Sequence, residues 1–161
     1  MSEPSLRPAR REDLEALLEL YGELHEERPL PAGERAAQVL QAILAQPKRH
    51  LVVATLDGRR VGSADMLIVE NLTHGARPWA IVENVIVAGS VRRSGIGAAL
   101  IEHLISLARS AGCYKVQLLS ARRRQAHAFY ESLGFEALSN GFKLYLRGDS
   151  SEAERGREAR A

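Results

Sequence analysis

The sequence predicts an α/β (α+β) fold, with a single mixed, mostly antiparallel central sheet and helices on both faces. Three observations predict it. β-branched runs such as Val85-Ile86-Val87 read as strands. Apolar residues at Leu100, Ile101, Leu104, Ile105 and Ala108 recur at helical spacing. The two kinds of segment also follow one another in a set order: strand, two helices, three strands, helix, strand, helix, two strands. Such an order suits one sheet with helices packed against it.

Ser5 to Pro8 reads as a short edge strand that Pro8 ends. From Arg11 to Glu27, Leu14, Leu17, Leu18, Tyr21 and Leu24 form the apolar stripe of a helix. A loop with Pro29, Pro31 and Gly33 interrupts it. A second helix carries Ala36, Val39, Leu40, Ile43 and Leu44 and stops before Pro47. His50 to Thr55 and Arg60 to Glu70 read as a hairpin turning at Asp57-Gly58. Asn71 to Pro78 is a polar loop, and Trp79 to Val87 is the central strand. A helix from about Gly95 to Ser110 ends at Ala111-Gly112. Tyr114 to Leu119 reads as another strand and Arg122 to Leu133 as a helix closed by Gly134. Phe135 to Ala137 and Phe142 to Arg147 read as a last hairpin around Asn140-Gly141. Residues 1–147 are expected to form the domain. The tail from Gly148 to Ala161 lacks large apolar residues and is expected to be disordered.

A net charge of +2 is too small to imply nucleic acid or a membrane surface as partner. The one cysteine, Cys113, excludes an internal disulfide and suits a reducing cytoplasm. The charged N-terminal segment is no signal peptide, and no apolar run is long enough to span a bilayer. The five histidines lack metal-ligand spacing, so no metal site is expected.

The chemistry centres on residues 83–100. Here a strand, a turn of sequence Arg92-Arg93-Ser94-Gly95-Ile96-Gly97 and a helix follow in order. A helix's first N–H groups are unsatisfied and carry partial positive charge, so they attract phosphate. Glycines at 95 and 97 let an anion approach the backbone, which points to a pyrophosphate cradle. A nucleotide P-loop is excluded because no Lys-Ser/Thr follows either glycine.

The turn matches Gln/Arg-x-x-Gly-x-Gly/Ala, and Phe129-Tyr130-Glu131-Ser132-Leu133-Gly134-Phe135 matches Phe/Leu-Tyr-x-x-x-Gly-Phe. In this order and at this separation, the two motifs resemble the GNAT superfamily of N-acetyltransferases. The Asn71 to Val87 region, followed by Gly112-Cys113-Tyr114-Lys115-Val116, is most similar to members acting on small amines, including glucosamine-6-phosphate N-acetyltransferases. The resemblance implies acetyl-CoA as co-substrate, direct transfer to a primary amine of a small molecule in a ternary complex, and a homodimer. It also implies that the central strand splays from its neighbour after Val87, so that main-chain atoms of Val85, Ile86 and Val87 meet pantetheine. Arg92, Arg93, Ser94, Gly95, Ile96, Gly97 and Ala98 would then hold the CoA phosphates.

Acetyl transfer needs a neutral amine, and an alkylammonium has a pKa of about 10.4, so a base is required. Glu83 is the candidate; period-2 alternation places it on one sheet face with Val85 and Val87. Glu70, at the end of the neighbouring strand, is its rival. Tyr130 is the candidate acid, since a phenol of pKa about 10 can protonate a leaving thiolate whose thiol has a pKa of about 8.5. Arg123 stands where many relatives carry asparagine and is a candidate for CoA phosphate or substrate. His74 and Arg77 are candidates for the acceptor. A non-catalytic acyl-CoA-binding regulatory module and a protein or peptide N-acetyltransferase are the alternatives. Nucleic-acid binding through Arg122 to Arg124 is a third and lesser one.

Overall fold

The computed structural model describes residues 4–25, 33–120 and 126–144. Arg123, the rest of the Arg122 to Arg124 run and the tail from Gly148 lie outside them. The chain divides into two compact units, Met1–Leu118 and Leu119–Ala161.

The first unit holds a five-stranded sheet ordered β1-β2-β3-β4-β5. Its strands are β1 (Ser5–Pro8), β2 (Arg49–Leu56), β3 (Arg59–Val69), β4 (Trp79–Val87) and β5 (Val116–Leu118). β1 to β4 pair antiparallel in sequence order, and β5 runs parallel to β4. The β2–β3 turn is made by Asp57 and Gly58, both at positive φ (48° and 76°). Positive φ at both central residues gives the hairpin turn whose twist matches that of the flanking strands.

Helices α1 (Leu14–His25) and α2 (Glu34–Leu44) cover one face. There Leu17 and Leu40 pack with Leu51 and Val53, and Leu20 and Leu24 pack with Ile86. Helix α3 (Ile96–Ser110) covers the other face and buries Ile96, Leu100, Ile101, Leu104 and Ala108. Gly62 lies beneath it. A Cβ there would meet the Ile86 carbonyl oxygen at 3.0 Å and the Leu100 and Ile96 side chains at 3.2 and 3.3 Å. Glycine at 62 thus lets α3 sit down on β3.

The segment before α1 departs from the predicted helix. Arg11–Asp13 form a 3-10 turn, because Asp13 folds back on the strand before it. Its carboxylate accepts from the Arg10 N–H at 2.8 Å, from both terminal nitrogens of Arg7 at 2.7 and 2.8 Å, and from Arg60 Nε at 2.8 Å. Asp13 is fully buried. This one carboxylate ties β1, the start of α1 and β3 together.

In the second unit α4 (His127–Ser132) precedes Gly134, which adopts φ 87°. Residues 135–144 form no strand, so the expected last hairpin is absent from its described part. The remainder, 145–147, lies outside the described residues.

Candidate active site

β4 carries the first feature the sequence concealed. Its register with β3 runs Val82–Met66 and Glu83–Asp65, then resumes at Ile86–Ser63 and Val87–Gly62. Asn84 and Val85 therefore stand opposite the single residue Ala64, and Asn84 adopts φ 53°. This is a β-bulge, and it reverses the alternation of side chains beyond it. Glu83 consequently lies on the α1 face with Asp65, Ser63 and Ile86, while Val87 lies on the α3 face with Gly62. The expectation that Glu83 shares a face with Val87 is thus corrected. Asparagine in an otherwise β-branched run was the available signal, since it tolerates positive φ better than its neighbours.

The second feature is an opening in the sheet. Among the described residues β4 and β5 pair only at Ala80–Val116, Ile81–Gln117 and Val82–Leu118. Their described pairing therefore ends at Val82, before the expected splay after Val87. Beyond the bulge the Ala88 N–H donates to the Val61 carbonyl at 2.8 Å, on the β3 side. By alternation the main chain of Ile86 also faces β3, and those of Val85 and Val87 face the open side. Ile86 is further spent on the core, against Leu20 and Leu24. Of the three strand residues expected to meet pantetheine, Val85 and Val87 have the suitable orientation.

Past β4 comes the turn. Arg93 and Gly95 adopt φ 63° and 83°, and Gly95 is the N-cap of α3 with no side chain capping the helix. The Ala99 N–H donates to the Gly95 carbonyl at 3.0 Å, closing the first turn. The N–H groups of Ile96, Gly97 and Ala98 precede that bond, as the first donors of a helix do. A Cβ at Gly95 would meet nothing within 4 Å, so space lies in front of the turn. An uncapped helix start with open space before it fits a diphosphate.

Two side chains of the turn already have protein partners. The Ser94 hydroxyl donates to the Val91 carbonyl at 2.6 Å, so it shapes the turn. Arg92 Nε donates to the Val87 carbonyl at 3.2 Å, and a terminal nitrogen of Arg92 lies 3.8 Å from Glu23. Glu23 also accepts from the Gly89 N–H at 2.9 Å. Arg93 is exposed. Main-chain donors are therefore the turn's chief resource.

Next to Glu83 on the α1 face is a buried polar group that the sequence did not disclose. Arg49 Nε lies 3.1 and 3.0 Å from the two Asp65 oxygens, and its NH2 lies 2.5 Å from one of them. The Tyr21 phenol is beside them. Burial pushes it above its ordinary pKa; nearby Ser63 and Arg49 oppose that rise and Asp65 adds to it. The Ser63 hydroxyl is buried beside this phenol yet makes no hydrogen bond of acceptable geometry. Glu70 is ion-paired with Lys48, the ordinary fate of a strand-end charge.

At the opposite end of β4 the His74 ring stacks on Tyr114, with centroids 4.1 Å apart. Lys115 Nζ lies 5.3 Å from the Trp79 ring centroid, and the Arg77 guanidinium lies 5.9 Å from that of Tyr114. Arg77 Nε donates to the His74 carbonyl at 3.2 Å, across three consecutive residues at positive φ, His74, Gly75 and Ala76. Neither cation forms an ion pair with a described residue.

Within the second unit Tyr130 is half-buried, edge-on to Phe129 at 5.0 Å and to Phe135 at 5.9 Å. Its carbonyl accepts from the N–H groups of Leu133 and Phe135. The Phe-Tyr-x-x-x-Gly-Phe motif thus closes a helix end and packs its three rings together. His127 is exposed on α4. Among the described residues no group of three His, Cys, Asp or Glu is placed to hold a metal, and no helix is long and apolar enough to cross a membrane.

A parted sheet beside a bulged strand, with an uncapped helix start at that strand's end, is the architecture of an N-acetyltransferase. Residues 14–135 match the model of the acetyltransferase (GNAT) family, and the chain belongs to that family. It is 38% identical over 147 residues to a Trypanosoma brucei brucei protein named glucosamine 6-phosphate N-acetyltransferase, covering 88% of this chain and 95% of that one. A structure described as a putative acetyltransferase from Agrobacterium tumefaciens str. C58 superposes with a TM-score of 0.83. It is 44% identical and covers 88% of this chain and 99% of its own. A structure described as a transcriptional regulator from Bacillus halodurans C-125 superposes with a TM-score of 0.84 at 27% identity, covering 89% and 100%.

Proposed function

We propose that this N-acetyltransferase moves the acetyl group of acetyl-CoA directly to the primary amine of a small phosphorylated molecule, both substrates being bound together. One observation carries the reading: the open side of β4 leads to the uncapped start of α3 through one connection, Ala88 to Gly95, whose Gly89–Val91 form a 3-10 turn. Ile96, Gly97 and Ala98 N–H groups, with Arg93, would hold the diphosphate. The Val85 and Val87 main chain would pair with the pantetheine arm, which supplies the acetyl thioester. A main-chain N–H from β4 would stabilise the oxyanion that forms at the carbonyl.

Glu83, exposed on the far face beside the bulge, would take the proton of the incoming ammonium directly or through water. Tyr130 would return a proton to the departing thiolate. The acceptor class is supported by the name of the Trypanosoma relative and by this chain's own cations. Arg77 and Lys115, unpaired among the described residues and set against aromatic faces, suit a phosphate monoester. Trp79 precedes Glu83 by four residues, or about 13 Å of extended strand, a span on the scale of a phosphosugar.

The test is release of free CoA thiol from acetyl-CoA with glucosamine 6-phosphate, glucosamine and peptide amines as acceptors. Turnover is expected with the phosphorylated amine and at least tenfold less without the phosphate, a difference of about 1.4 kcal/mol. Equal rates would remove the phosphate requirement. No thiol release with any amine, despite acetyl-CoA binding, would favour a regulatory acyl-CoA-binding module, a role in keeping with how the Bacillus halodurans neighbour is described. For Glu83→Gln, the acidic limb of the kcat/KM profile is expected to disappear, because the limb reports protonation of the base in the free enzyme. An unchanged limb would exclude Glu83.

A further inference from the structure

Three charged residues stand side by side across β2, β3 and β4 on the α1 face: Arg49, Asp65 and Glu83. Asp65 and Glu83 are direct cross-strand partners, and Leu51 opposite Asp65 fixes Arg49 two residues away on the same face. Neighbouring strands lie about 4.8 Å apart, so a guanidinium on β2 can extend across β3 to a carboxylate on β4. It does not. Asp65, only 5 % exposed, takes it through two of its nitrogens. Glu83 has neither a hydrogen bond nor an ion pair to any described side chain.

We propose that Asp65 is a positioning residue: it holds Arg49 in a closed pair and so keeps Glu83 free of a counter-ion for the incoming ammonium. The inference rests on Glu83 as the base of the proposed reaction and adds what keeps it available. A base already paired with a guanidinium is both less basic and less attractive to a cationic substrate. α1 presents the Tyr21 phenol and, toward the end of β4, Glu23, which is paired with Arg92; α2 presents Leu40 and Ile43 to the same face, and β5 (Val116–Leu118) has no titratable residue. Asp65 is therefore what stands between the Arg49 guanidinium and the exposed carboxylate of Glu83.

The experiment compares Asp65→Asn with the double variant Arg49→Met/Asp65→Asn, using acetyl-CoA and glucosamine 6-phosphate. In Asp65→Asn the released guanidinium turns to Glu83. KM for the amine is expected to rise about tenfold, and the acidic limb of the kcat/KM profile to move to lower pH. The double variant lacks both charges; its amine KM is expected to return to within about twofold of wild type and its acidic limb to the wild-type position. The double variant leaves no unpaired buried charge, so it tests the idea even if Asp65→Asn does not fold. Should Asp65→Asn lose only thermal stability, with KM and the acidic limb unmoved, the inference is overturned. A double variant that folds but keeps a tenfold KM defect overturns it as well. If Glu83→Gln leaves the acidic limb in place, the base reading fails and takes this inference with it. If Glu83→Gln removes the limb while Asp65→Asn moves nothing, this inference fails alone.

Discussion

Asparagine at position 13 is expected to destabilise the protein by about 3–5 kcal/mol, the range for removing one partner of a buried ion pair. Asp13 has no solvent exposure and receives hydrogen bonds from Arg7, Arg60 and the Arg10 N–H. Burial alone would raise its pKa, but the two guanidinium bonds and the backbone N–H outweigh burial and hold the carboxyl well below the usual carboxylate range. An amide would turn its NH2 toward a guanidinium and leave Arg7 or Arg60 short of an acceptor. The pH dependence follows from the direction of the shift. A carboxyl with a depressed folded-state pKa contributes stability above its unfolded value of about 3.9, and loses it as pH falls toward the folded value. Thermal melts should therefore show the wild-type advantage over Asp13→Asn intact at pH 7 and shrinking below about pH 4. At pH 7 the melting temperature should drop by roughly 10 °C or more. A loss under about 1 kcal/mol, the range of an exposed pair, would show that these bonds do not hold β1 to the domain.

The second large effect concerns turnover. Tyr130→Phe is expected to lower kcat by about 10²–10³-fold, within the range for loss of a general acid or base. Affinity for acetyl-CoA should change less than about threefold, because the ring and its contacts with Phe129 and Phe135 remain. Steady-state kinetics alongside calorimetry separates the two quantities. Equal losses in both would assign Tyr130 to cofactor binding; no loss in either would leave it a core aromatic of the second unit.

Local chemistry made most of the fold legible. Pro8 ends β1 as its missing N–H requires, and Asp57-Gly58 supplies two positive-φ residues where a tight hairpin needs them. Gly95 and Gly112 bracket α3 because both positions need left-handed backbone. The turn before α3 was equally visible, since its left-handed backbone at Gly95 depends on which residue carries no Cβ. What stayed hidden was long-range. Nothing near Asp13 announces Arg60, which lies 47 residues away, or that a residue inside an apparent helix would instead end a 3-10 turn. The bulge at Asn84 was missed because period-2 reasoning assumes unbroken pairing, and one extra residue reverses every face beyond it. The same assumption put Glu83 on one face with Val87, and nothing in the sequence paired Arg49 with Asp65 beside it. Tyr114 and Lys115 read as strand by their alternation, yet β5 begins only at Val116.

Calorimetric titration of the wild-type protein with acetyl-CoA tests the central claim most directly. Saturable binding of one ligand per chain, with a dissociation constant of about 1–100 μM, is the expected result. Replacing Gly95, whose φ of 83° disfavours any side chain, by valine should weaken it at least tenfold. Absence of heat at high micromolar acetyl-CoA, or binding that valine at position 95 leaves untouched, would contradict the assignment of the α3 turn as the cofactor's anchor.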